Sequence, residues 1–202
     1  MRQFAYLAGL RFAHSDSVSL ITGQQLEETQ VLALFTIGET PWSEIQKEVI
    51  LDRVRSGTMG FLPIHSASDA CTMWPEYGRL VGARFDGHPW TQEFTVEVVD
   101  RTHPATRHLR VPWRLTDEVY LFRDMRADCH VLLRAVSSDL DASANGARFP
   151  EIGIPLAWCF HEGRGRVFYT ALGHFAAEYE NPTFLGHLFG GLQWILNKEP
   201  AG

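Results

Sequence analysis

The stretch QVLALFTIGETPWSEIQKEVILDRVRSGTMGFLPIH, residues 30–65, decides the fold. QVLALFT is continuously apolar, the pattern of a strand buried on both faces of a parallel sheet. The segment after it sets Ile45, Val49, Leu51 and Val54 near helical spacing and stops at Gly57. GFLPIH is then a second apolar run. Strand, helix and strand in this length make a right-handed crossover with parallel strands. The expectation is an α/β protein with an open, mostly parallel sheet and helices on both faces.

Upstream, SVSLIT (17–22) alternates and reads as another strand. Downstream, ACTMWPEYGRLVG (70–82) reads as a short broken helix, and TQEFTVEVVD (91–100) as a strand with one wetter face, antiparallel at the sheet edge. Residues 101–117 read mostly as loop. HVLLRAV (130–136) and PLAWCFHE (155–162) follow as strands, the second turning through GRGR into VFYTALGH (167–174) as a hairpin. In the closing NPTFLGHLFGGLQWILNK (181–198), Asn181 suits an N-cap and Pro182 the first helical position. Phe184, Leu188, Leu192 and Ile195 share one face, as in a core-packing helix.

Glycine and proline punctuate these elements without forming a linker, so residues 1–202 are expected to make a single domain. A net charge of −6 with scattered basic residues offers no footprint for nucleic acid. No apolar run approaches the roughly 20 residues of a membrane span, and the first residues lack a secretion signal, so a cytoplasmic location is expected. Cys71, Cys129 and Cys159 are odd in number and widely spaced, against a disulfide framework or a C-x-x-C metal site. No glycine-rich or Walker motif calls for a nucleotide cofactor. Self-association of identical chains is the one macromolecular contact left open.

In open α/β sheets, ligands bind beyond the carboxyl ends of the strands. His65 ends one strand and His174 ends another, each beside small residues that permit close approach. The ordinary reading of either is a core-edge ring bonded to a backbone carbonyl. In TDEVYLF (116–122), Glu118 and Tyr120 share one face and Asp117 lies on the other. A carboxylate beside neutral imidazoles suits a divalent, zinc-like ion or a general base; its bland alternative is a solvated loop carboxylate. His88 and His103 precede prolines, in loops suited to approach a pocket. His161 reads as a surface residue of the hairpin turn, His130 as a strand opening, His187 as part of the last helix and His108 as exposed. Ser66 lacks the G-x-S-x-G context of a nucleophile, and Cys71 reads as structural.

GFLPIHSASDA, WPEYGRLVGARFDGHP, DRTHPAT, TDEVYLF and, most specifically, PLAWCFHEGRGRVFYTALGH followed by NPTF resemble the ThuA-like, or trehalose-utilisation, family, in order from about residue 26 to 198. The resemblance implies a class I glutamine amidotransferase-like, flavodoxin-type three-layer sandwich. It also implies sugar catabolism, on disaccharides and their keto derivatives, with a metal held by strand-end histidines in some members. By position it points to His65, Glu118, Tyr120 and His174. Glutamine hydrolysis is disfavoured, because His65 stands where a cysteine would be needed and His174 is followed by Phe175 and Ala176.

Two functions are expected from different classes. One is a glycoside or keto-sugar hydrolase or lyase, with His65, Glu118 and His174 catalytic or metal-binding and Tyr120, Ser66, Trp74 and His103 contacting a small sugar substrate. The other is a non-catalytic sugar-binding or subunit-interaction domain. Trp74, Trp90, Trp113 and Tyr120 could stack on sugar faces in either case. Relatives usually open with a strand and a glycine-rich loop carrying a histidine. Here either RQFAYLAG is that strand and His14 a site residue, or the chain begins within the first helix, with any central gap closed by rearrangement or a partner chain.

Overall fold

The computed structural model describes residues 2–197; Met1 and residues 198–202 of the expected domain lie outside the described residues. Helices α1 (Arg2–Leu7), α2 (Gly23–Glu28), α3 (Glu44–Ser56), α4 (Pro75–Val81) and α5 (Pro182–Ile195) are interspersed with nine strands. The strands are β1 (Val31–Leu34), β2 (Gly60–Pro63), β3 (Arg84–Phe85), β4 (Trp90–Val98), β5 (Trp113–Val119), β6 (Phe122–Arg123), β7 (His130–Ala135), β8 (Ile154–Glu162) and β9 (Gly165–Thr170). Seven form one sheet in the order β1-β2-β9-β8-β7-β4-β5, and β3 pairs with β6.

The crossover forms as its sequence dictates. Ser43 and Gln46 cap α3 reciprocally, Gly57 ends it at φ 80°, and β1 and β2 pair in parallel from Val31↔Gly60 to Leu34↔Pro63. The mostly parallel sheet, however, is not what forms. Beyond β1–β2 and β2–β9 the pairings β9–β8, β8–β7, β7–β4 and β4–β5 are all antiparallel, so the sheet is mixed and mostly antiparallel. No α-helix among the described residues links these later strands, and the tight turn between Glu162 and Gly165 forces a hairpin.

Four local expectations also change. QVLALFT is an edge strand, with Leu32 and Leu34 buried and Ala33 exposed; its small apolar residues hide the alternation. β4 is antiparallel as expected but interior, because β5, drawn from the presumed loop, takes the edge. SVSLIT contains a 3-10 turn at Val18–Leu20, after which Thr22 and Gln25 cap α2. RQFAYLAG is no strand either, for residues 2–7 are helical and Phe4 packs on Phe189 of α5 with ring centroids 5.5 Å apart. β1 abuts β2 and β2 abuts β9, which leaves no vacancy inside the sheet.

Alternation along β9 sends Phe168 into an apolar cluster with Phe184, Leu188, Leu192 and Ile195 of α5. Its neighbours Val167 and Tyr169 enter another cluster, with Ile50 and Val54 of α3 and Tyr77 and Leu80 of α4. Helices therefore flank both faces. Asn181 caps α5 by accepting from the Thr183 N–H, with Pro182 at its first position. Among the described residues no helix is long and apolar enough to cross a membrane.

Candidate functional site

The chain leaves β2 through Ile64 and turns at once into a 3-10 segment, His65–Asp69. His65 makes this turn with φ 49°, a left-handed conformation that costs a non-glycine residue energy and is found where a side chain must be aimed. The ring is buried, and its Nδ1 lies 2.6 Å from the Ala171 carbonyl just after β9. A carbonyl only accepts, so Nδ1 carries the hydrogen and Nε2 presents a lone pair. Tyr120 Oη donates to that nitrogen at 2.7 Å. Burial lowers the His65 pKa, keeping the ring neutral, and burial beside Glu118 raises that of the Tyr120 phenol, keeping it protonated.

Glu118 comes from β5. Its Oε2 lies 3.3 Å from His65 Nε2 and 3.3 Å from His174 Nδ1, and its Oε1 lies 3.6 Å from His88 Nδ1. The His65 and His174 rings are 5.3 Å apart, centroid to centroid. One ligand atom from each of His65, Glu118 and His174 lies within 4.8 Å of the others. Lone pairs of a neutral imidazole and a carboxylate at 3.3 Å repel unless a proton or a cation lies between them. The set, two imidazoles and a carboxylate with one ring tied to a backbone carbonyl through its far nitrogen, is the donor chemistry of a zinc-like site.

Around the cluster lie aromatic rings. Phe35, at the end of β1 and 57% exposed, stacks on His65 at 6.2 Å and meets Tyr179 edge-on. Phe175 stands edge-on to His174 at 4.6 Å. Phe85 and His88 flank Tyr120. None of the phenylalanines was singled out by sequence; an apolar strand running on to an exposed Phe35 is the signal that could have found it.

The other expected residues are dispersed. Ser66 follows His65 in the 3-10 turn and is half-buried. Trp74 is buried against Tyr77, with the Lys47 ammonium over its ring, so it presents no open face. Trp90 and Trp113 are also core residues. His103 is buried on the α5 side between Phe168 and Trp194, away from His65. His14 sits at the surface beside Asp16, so it joins no cluster. His161 belongs to β8, not to the turn, and leans on Trp194.

The fold and this cluster define a class: an α/β protein whose strand-end histidines meet a carboxylate at the ends of the strands of a curled mixed sheet. Within that class the chain belongs to the ThuA family, described as trehalose utilisation, whose model matches residues 2–195. Among solved structures it is similar to proteins described as ThuA-like from Bacteroides uniformis (21% identity, 100% of this chain and 83% of the other, TM-score 0.79) and Parabacteroides merdae (21%, 100% and 85%, TM-score 0.73). It also resembles a β-galactosidase from Bacillus circulans sp. alkalophilus (14%, 86% and 24%, TM-score 0.53). Comparison with curated proteins finds no match.

Proposed function

We propose that the chain is an enzyme of carbohydrate catabolism, acting on a disaccharide-derived or keto-sugar glycoside in the pocket of His65, Glu118 and His174. The observation that carries this reading is the convergence of His65 Nε2, Glu118 Oε2 and His174 Nδ1 within 4.8 Å. The family's description, trehalose utilisation, supplies the substrate class. The exposed rings of Phe35 and Phe175 add an apolar wall on which the C–H face of a sugar can rest, while Glu118 and His88 offer partners to its hydroxyls. The three unpaired cysteines suit a reduced, cytoplasmic setting.

The donor set fits a divalent, zinc-like ion held by His65, Glu118 and His174, which when bound supplies Lewis-acid polarisation of a sugar oxygen. The chain's own groups do the rest. His65 is held in one tautomer by Ala171, and its ring is aimed by the strained turn. In this reading Glu118 Oε1, 3.6 Å from Nδ1 of the half-exposed His88, takes a proton from a substrate hydroxyl or water and passes it outward.

Metal analysis of purified protein and turnover of 3-keto-disaccharides by wild type and His174→Ala test the reading together. We expect bound divalent metal and a rate loss of about 100-fold or more in the variant. No metal and equal rates would overturn it, and sugar affinity without turnover would identify a binding module instead.

A further inference from the structure

Asp117 is a buried carboxylate that the chemistry above leaves unused. It occupies β5 between Leu115 and Val119, at a register where Trp113, Leu115 and Val119 all point into the core, and it is 0% exposed. Its Oδ2 accepts from the Gly173 N–H at 2.7 Å, and its Oδ1 accepts from the His174 N–H at 3.2 Å and the Glu118 N–H at 2.9 Å. Two successive N–H groups aimed at one carboxylate form an anion-binding nest, here filled by the chain itself. Gly173 makes the nest possible. Its φ is 111°, and a Cβ there would lie 2.9 Å from Phe184 and from the Tyr179 hydroxyl.

The placement matters because β5 and β9 are not neighbours: β8, β7 and β4 lie between them in the sheet. Nothing in the ladder ties the strand that carries Glu118 to the strand end that carries His174. Asp117 makes that tie directly, with the residue before Glu118 holding the backbone of His174 itself. We infer that Asp117 is a positioning residue that sets the Glu118–His174 spacing, and so the donor set, by clamping the loop after β9 to β5.

The functional consequence rests on the metal-binding reading, whereas the clamp can be measured without it. The first readout is amide hydrogen exchange at Gly173 and His174, relative to core amides such as Leu156 and Phe168, in wild type, Asp117→Ala and Asp117→Asn. The second is titration of the metal-free proteins with Zn²⁺ and with Co²⁺, the latter followed by its visible spectrum. For Asp117→Ala we expect these two amides to exchange at least tenfold faster while core amides keep their protection, and Zn²⁺ to bind about 10- to 100-fold more weakly. Asp117→Asn keeps one acceptor oxygen and should rescue part of both effects; it also serves if the alanine variant does not fold. Glu118→Gln should weaken metal binding without loosening the two amides. Unchanged exchange at Gly173 and His174 in both Asp117 variants would overturn the inference. If wild type binds neither ion, the metal reading fails by itself and the exchange data still decide the clamp.

Discussion

Tyr120 is bonded to the lone pair that a metal would need, because its hydroxyl donates to His65 Nε2 at 2.7 Å. On the proposed reading, a metal ion entering at His65 Nε2 would have to break this bond, so the two would compete. Replacing Tyr120 with Phe leaves a buried imidazole nitrogen unpaired, which should cost the metal-free protein about 1–3 kcal/mol. Zn²⁺ should bind the variant at least as tightly as wild type, since no bond is lost on entry. Urea unfolding and zinc titration of the same preparation check both halves. At this scale the sequence was a good guide to which residues end strands, since His65 and His174 follow apolar runs. It did not reveal Asp117, although the register of RLTDEV puts that aspartate on the side of Trp113 and Leu115. A charge at an apolar-register position was the available signal. Trp74 and His103 went the other way, because whether a ring faces a pocket or the core depends on contacts that span the chain.

Helix α5 shows how an element's neighbours decide what a glycine does. A Cβ on Gly190 would lie 2.2 Å from the Pro104 carbonyl oxygen and 2.6 Å from Ala105 Cα, all backbone. One on Gly186 would meet only the ring of His108, which is exposed and free to swing away. Alanine gains about 1 kcal/mol of helix propensity over glycine at either place. Gly186→Ala should therefore be neutral or stabilising, whereas Gly190→Ala should cost about 1–3 kcal/mol through overpacking. Asn181→Ala, which removes the cap on the Thr183 N–H, should cost about 1 kcal/mol. Chemical denaturation of the three variants gives the ranking. α5, α3 and the β8–β9 hairpin were legible because caps, turns and periodicity are local. Which strands pair was not, since the partners of β2 and β5 are chosen by packing between residues far apart in sequence.

Two histidines on the α5 face bear on the stability of the whole molecule. His187 is 0% exposed, with Nδ1 donating to the Ala105 carbonyl and Nε2 3.3 Å from Thr170 Oγ1; burial pushes its pKa from 6.5 down to about 3. Burial likewise pushes His103 down to about 4. Both are neutral when folded, and below pH 6.5 the unfolded chain takes up protons that the folded chain refuses. The stability they confer is thus complete above about pH 6.5 and is lost as the pH falls through the range down to about 4 for His103 and about 3 for His187. The combined loss is on the order of several kcal/mol. Urea midpoints measured from pH 7 to pH 4 should fall steadily, and His187→Gln should flatten the slope; a flat wild-type profile would contradict the assignment.

The His65–Glu118–His174 cluster is joined by contacts that reach far along the chain. His65 to Ala171 spans 106 positions, Asp117 to Gly173 spans 56 and Tyr120 to His65 spans 55. Closing loops of this size comes at an entropic cost that only the rest of the sheet can offset. The centre should therefore be among the last features to mature during refolding, and no proteolytic fragment lacking any one of the three segments should retain it. Recovery of the assembled cluster would then report the moment at which the polypeptide has wholly closed on itself, later than recovery of helical signal.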